Sequence, residues 1–151
     1  MEMRMHSKII DSTAAPTYVL VLDPGDEAIA VITAFAREQS LTAAQVTAIG
    51  AFEQATVGWF DRVARQYRPI DVPQQCEVLS LIGDIAAGSD GPQPHLHAVL
   101  GLPDGSTRGG HLLNGHVWPT LEVIIRETPA ELRKTDRPEI GLALIDLGSR
   151  N

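Results

Sequence analysis

The alternation of apolar and polar positions sorts the chain into one helix and many strands. Tyr18-Val19-Leu20-Val21-Leu22 is a continuous apolar run of β-formers, which predicts a strand covered on both faces. It stops at Asp23-Pro24-Gly25-Asp26-Glu27, where Asp23 is suited to cap a helix and Pro24 to open it. Ile29, Ile32, Phe35 and Ala36 then fall on one helical face, so an amphipathic helix is expected over residues 24–39. Thr42-Ala43-Ala44-Gln45 has the form of a capping box, but the segment it opens is short. Val46 to Ala51 reads better as a strand.

From Ala55 onward the period is that of strands. Val57 to Asp61 and Arg65 to Arg68 flank a short polar turn, a hairpin signal, and Pro69 and Pro73 bracket an expected loop. Cys76 to Ile85 is a long β-type run. Ala86 to Pro94, with its glycines and prolines, is expected to be a loop with a mobile tip. The run around His95 and His97 reads as a strand, Asp104-Gly105 marks a hairpin turn, and Thr107 to Leu113 returns antiparallel. Asn114-Gly115 predicts another tight turn before a strand from Val117 to Glu127. Pro129 to Glu139 reads as a charged loop with room for a short helix, and Ile140 to Leu147 as a last strand. The fold class is α+β: a mostly antiparallel β-sheet with one principal amphipathic helix packed on it. Residues 1–16 read as a polar N-terminal arm and 17–147 as a single domain.

The candidate chemistry lies in one of these hairpins. Successive strand side chains alternate faces, so His95 and His97 project from one side while Leu96, Ala98 and Leu100 point to the other. With Asp104-Gly105 at the turn, positions near 97–100 oppose positions near 109–112. His111, after Gly109-Gly110, therefore falls beside or diagonal to His97, within cross-strand reach. Three neutral imidazoles suit a divalent metal, zinc most naturally and other first-row ions after it. Glu122 stands in an otherwise apolar strand. It is a candidate base, an orienter of a histidine, or a partner for Arg126 or Arg108. His116 reads as a solvated turn residue and His6 as incidental.

Charge narrows the partners. The formal net charge is −7, with only two lysines, Lys8 and Lys134. Duplex DNA binding draws most of its affinity from neutralised phosphates, so an acidic chain is a poor general DNA binder. The local exception is Arg62, Arg65 and Arg68, interleaved with Trp59, Phe60 and Tyr67. Cys76, the single cysteine, fits a reducing cytoplasm and reads as a small buried hydrophobe. No apolar run reaches a membrane span, and the N-terminus lacks a secretory core, so the expectation is a cytoplasmic chain with no membrane partner.

Seven segments, taken in order, resemble the PPC (plants and prokaryotes conserved) domain family, as a prokaryotic stand-alone member. They are Tyr18-Val-Leu-Val-Leu-Asp-Pro-Gly-Asp-Glu27, Ala48-Ile-Gly-Ala51, Glu77-Val-Leu-Ser-Leu-Ile-Gly83, Pro94-His-Leu-His97, Asp104-Gly105, Gly109-Gly-His-Leu-Leu113 and Thr120-Leu-Glu-Val123. The resemblance implies a compact domain with a largely antiparallel sheet, assembled as a homotrimer. It also implies zinc binding, as in some prokaryotic members, at the positions of His95, His97 and His111. Prokaryotic members are often labelled predicted DNA-binding proteins. In plants the domain follows AT-hook peptides, whose Arg-Gly-Arg-Pro core is absent here. Three functions follow as expectations. One is a homotrimeric metal-binding protein with a regulatory, DNA-associated or assembly role. Another is a small zinc-dependent hydrolase-like enzyme using the three histidines, with Glu122 as base. The third is a direct DNA binder through Arg62, Arg65 and Arg68 repeated around the trimer.

Overall fold

The structure is a computed structural model that describes residues 6–11 and 15–148. Its described elements are β1 (His6–Asp11), β2 (Thr17–Leu22), α1 (Ala28–Glu38), β3 (Ala43–Asp61), β4 (Gln66–Val72), β5 (Cys76–Gly88), β6 (Gly91–Gly101), β7 (Thr107–Glu127), β8 (Arg133–Arg137) and β9 (Leu142–Asp146). All the strands join one sheet, and every pairing is antiparallel except a single parallel contact between β5 and β8. Two long strands, β3 and β7, pair along most of their length. β5 lies beside β3, and β6 bridges β5 to the start of β7.

The core sits under the helix. Val31, Ile32, Phe35 and Ala36 of α1 are buried, and the helix packs on β6 and β7. Leu20, Val46, Phe52, Leu81, Ile85, Leu100, Leu112, Leu121 and Ile125 are fully buried in the same cluster. Removing each such side chain from water contributes roughly 1.5–3 kcal/mol, which is why the inward positions of these strands are almost all apolar. Cys76 belongs to this cluster as the small hydrophobe expected, and burial pushes its thiol pKa up.

Several local signals yield to tertiary pairing. The helix starts four residues later than expected, because Glu27 rather than Asp23 caps it, its carboxylate accepting from the Ile29 N–H (3.3 Å) and the Ala30 N–H (2.8 Å). Asn114-Gly115 makes no turn. Both residues pair with β3, and the Gly115 N–H donates to Glu27 (3.1 Å), so β7 runs straight through. His116 is consequently a half-buried strand residue bridged to Glu27, not a solvated one. Residues 86–94 form the tip of the β5–β6 hairpin, paired to Gly88↔Gly91, instead of a loop. Pro69 lies inside β4, an edge strand that pairs only with β3. The 129–139 segment holds β8 and no helix. Within the arm, residues 6–11 pair with β2, whereas 1–5, 12–14 and the His6 side chain lie outside the described residues.

Candidate metal centre

Register brings the histidines together. His95 and His97 occupy outward positions of β6, while Leu96, Ala98 and Leu100 are buried beneath them. His97 is the direct cross-strand partner of His111, as the Asp104-Gly105 turn implies. His111 in turn pairs with Gly58 of β3, and the bare Gly58 leaves space for Tyr67, whose ring would lie 2.9 Å from a Cβ there. Tyr67 stacks on His111 with ring centroids 4.4 Å apart and planes at 15°. Gly110 has a structural duty rather than a flexible one. A Cβ on it would collide with the Gly58 carbonyl, so only glycine lets β7 approach β3 this closely beside His111.

The three imidazoles present ligand nitrogens that all lie within 4.8 Å of one another. His95 Nε2 and His97 Nε2 are 3.1 Å apart. Two nitrogens bound to one tetrahedral zinc at 2.0–2.1 Å sit about 3.3 Å apart, so this pair already has nearly the spacing of one tetrahedral edge. His111 Nδ1 is buried with no hydrogen-bond partner. An unsatisfied buried ring nitrogen is costly, and a cation removes the cost. The donor set therefore fits a divalent ion with an open position.

Burial keeps two of the rings, His95 and His111, in the neutral form that can ligate an ion. Burial drives the His111 pKa down to about 4, with His95, His97 and Lys134 adding to it. Burial also lowers His95, helped by Lys134 and His97 and opposed by Asp84. Both are neutral at pH 7, with lone pairs available. Asp84 of β5 is the cross-strand partner of His95, its Oδ2 3.9 Å from His95 Nδ1. That is too long for a hydrogen bond, yet it places the carboxylate on the Nδ1 side and leaves Nε2 facing His97. Lys134 of β8, its side chain only 3% exposed, reaches Asp84 Oδ1 at 3.1 Å and donates to the Gln93 carbonyl at 3.1 Å. The Asp84 contact is an ion pair without a well-directed hydrogen bond.

Asp84, Lys134 and Tyr67 escape a reading of the sequence alone. Asp84 offers a faint signal, an acid inside an apolar strand, and Lys134 another, one of two lysines in the chain. Neither signal says what the residue would face.

The other candidates stand apart from this cluster. Glu122 is exposed on β7, paired with Val21 and Ile49, and lines an apolar groove of about 360 Å³ with Val19, Leu79, Ile82 and Ile124. It makes no ion pair among the described residues, whereas Arg108 donates to the Asp71 carbonyl (3.2 Å). His95 and His111 border a different cavity, of about 210 Å³. The smaller cavity is where ionisable groups converge, namely His95, His111, Tyr67 and Lys134. Arg62 and Arg65 are exposed at the β3–β4 turn, and Arg68 is paired with Asp61 and lies over the Trp59 ring at 5.6 Å. No described helix is long and apolar enough to cross a membrane.

Comparison with known proteins agrees with this architecture. A plants- and prokaryotes-conserved protein of Pyrococcus horikoshii is 27% identical, with 89% of this chain and 93% of that one covered at a TM-score of 0.83. A metal-containing protein of Archaeoglobus fulgidus is 28% identical, covering 93% and 97%, at 0.80. A candidate DNA-binding protein of Ralstonia eutropha JMP134 is 26% identical, covering 93% and 96%, at 0.83. A curated Synechococcus sp. (strain JA-3-3Ab) relative, the bifunctional protein GlmU, is 32% identical over 132 residues. The chain spans about a fifth of that relative's length (20%). The profile of the Plants and Prokaryotes Conserved (PCC) domain matches residues 11–129, most of the sheet with its helix and all three histidines, and the chain belongs to that family.

Proposed function

We propose that the protein is a homotrimeric member of this family that holds a divalent metal, zinc in the first instance, on His95, His97 and His111. Its role on this reading is regulatory or in assembly, associated with DNA through a partner. The observation that carries the reading is the convergence of three imidazoles from two strands, with nitrogens within 4.8 Å and the His111 Nδ1 unsatisfied. The metal-containing A. fulgidus protein of the same fold supports it. A bound ion would supply a Lewis-acidic anchor at the cavity floor; Asp84 would fix the His95 ring toward it and Tyr67 would hold His111 by stacking. Support for self-association comes from the outward sheet face, where Ile49, Leu79, Ile82, Val99 and Ile124 are exposed beside the apolar groove. An apolar surface of that kind is usual where copies of a chain meet.

Two other readings have less support. A hydrolase needs a free base at the histidines; the carboxylate there is Asp84, engaged with Lys134, while Glu122 lines the other groove. Direct DNA binding has the R. eutropha protein in its favour, but Arg68 is already neutralised by Asp61.

Metal analysis of protein purified without added metal tests the reading. One ion per chain is expected in the wild type and background in His97→Ala, with a solution mass three times that of the chain in both. Equal metal in the two proteins, or none in either after dialysis against zinc, would remove the site. A monomeric mass would remove the trimer.

A further inference from the structure

The cavity beside the histidines is finished by residues beyond the matched 11–129 stretch. Lys134 of β8 and Leu142, Ala143 and Leu144 of β9 form one wall; Tyr67, Gln93 and Pro94 form the rest. The β8–β9 hairpin thus places a cation in a cleft whose walls are as much apolar as polar. Lys134 is almost wholly buried, a costly position for an ammonium that lacks compensating partners. An ammonium has three protons to donate. Among the described residues only Asp84 Oδ1 and the Gln93 carbonyl receive them, the former poorly directed.

Charge counting gives the cavity a sign. Asp84 lies 3.1 Å from the Lys134 ammonium and offsets it, and imidazoles bind an ion as neutral ligands. A divalent ion on the three rings therefore leaves a surplus positive charge beside the cavity. Size narrows the ligand further. A volume of about 210 Å³ lies below the roughly 300–1,000 Å³ of sites for drug-sized molecules and suits an anion of a few heavy atoms.

We propose that Lys134 makes this cavity an oxyanion site: a small carboxylate or phosphate binds there, its charge shared between the ion on the histidines and the Lys134 ammonium. The proposal rests on the metal reading above and adds to it the ligand class and the residue that selects it. Lys134 would contact the bound anion directly, and Leu142 and Leu144 would exclude water from it.

Cobalt(II) in place of zinc gives a visible spectrum that reports its surroundings without any assay of activity. The full-length chain, loaded with cobalt, is titrated separately with acetate and with inorganic phosphate. A saturable spectral change is expected, about tenfold or more weaker in Lys134→Gln and within a few-fold of wild type in Lys134→Arg, since a charged hydrogen bond is lost only in the first. The tighter of the two anions identifies the class. Should Lys134→Gln fail to load cobalt, the pair Lys134→Gln with Asp84→Asn replaces it, because it leaves neither buried charge alone, with cobalt raised about a hundredfold to offset the weaker metal binding expected of Asp84→Asn. Wild-type protein that takes up no cobalt overturns the metal reading and this proposal together. Normal loading with no response to either anion, or an equal response in wild type and variant, overturns the oxyanion site alone.

Discussion

Two acids divide the labour of the two charged regions in this molecule, and their surroundings differ in kind. Asp84 is held from afar: its partners His95 and Lys134 come from β6 and β8, and the charge is placed by strand register. Asp61 is held locally. One oxygen accepts from the Val63 and Ala64 N–H groups (2.9 and 3.1 Å), the other from Arg68 of the same hairpin. The first arrangement gathers groups distant in sequence onto one spot, which is what a ligand site requires. The second finishes a turn. An acid whose partners all lie within seven residues stabilises its own loop; one whose partners span the sheet serves a shared centre.

The largest expected effect breaks that contrast at Asp84. Asp84→Asn keeps the shape but removes the charge that orients His95 and balances Lys134. Metal affinity should fall roughly 10–100-fold, the range for outer partners of metal-binding histidines. Asp61→Asn should leave it unchanged. Competition with a chromophoric chelator measures both, and equal losses would show that the effect is general destabilisation.

How far the sequence foretold these regions follows from the same distinction. His97 opposite His111 was readable because one hairpin, with an Asp-Gly turn, sets the register, and alternation then fixes the face. Helix and core were readable from period alone. Lys134 was not, since it arrives on β8, which reads as loop, and nothing local says that β8 docks against the end of β5. Asn114-Gly115 misled for the converse reason. Its local preference for a turn is real, but pairing with β3 and the Glu27 carboxylate outweigh it. Local rules succeeded where partners are neighbours in sequence and failed where a distant strand decides.

A middle-sized effect concerns DNA. Arg62 and Arg65 remain exposed, but Arg68 is spent on Asp61, and the chain carries a net charge of −7. Purified protein should show no submicromolar dissociation constant on a random duplex at physiological salt. Any binding at low salt should decline steeply as salt rises and weaken in Arg65→Ala, since only phosphate contacts are available to it. Fluorescence anisotropy across a salt series decides this. Tight, salt-insensitive binding would mean that the hairpin is not the interface, or that the charge argument is mistaken.

The smallest effect tests whether the turn itself, rather than the arginine, governs Asp61. Its carboxyl is held below the usual range first by the Ala64 N–H, then by the Val63 N–H, and only then by the Arg68 guanidinium. A folded-state pKa below the unfolded one means that the unfolded chain binds more protons as acid is added. The stabilisation is therefore complete above the unfolded value of about 3.9 and is lost as pH falls through the folded one. Arg68→Ala should raise the Asp61 titration midpoint, followed by carboxyl carbon NMR, only part of the way back. A midpoint restored to that of a free aspartate would transfer the whole effect to Arg68. It would also make the hairpin an ion-pair device instead of a turn closed by its own backbone.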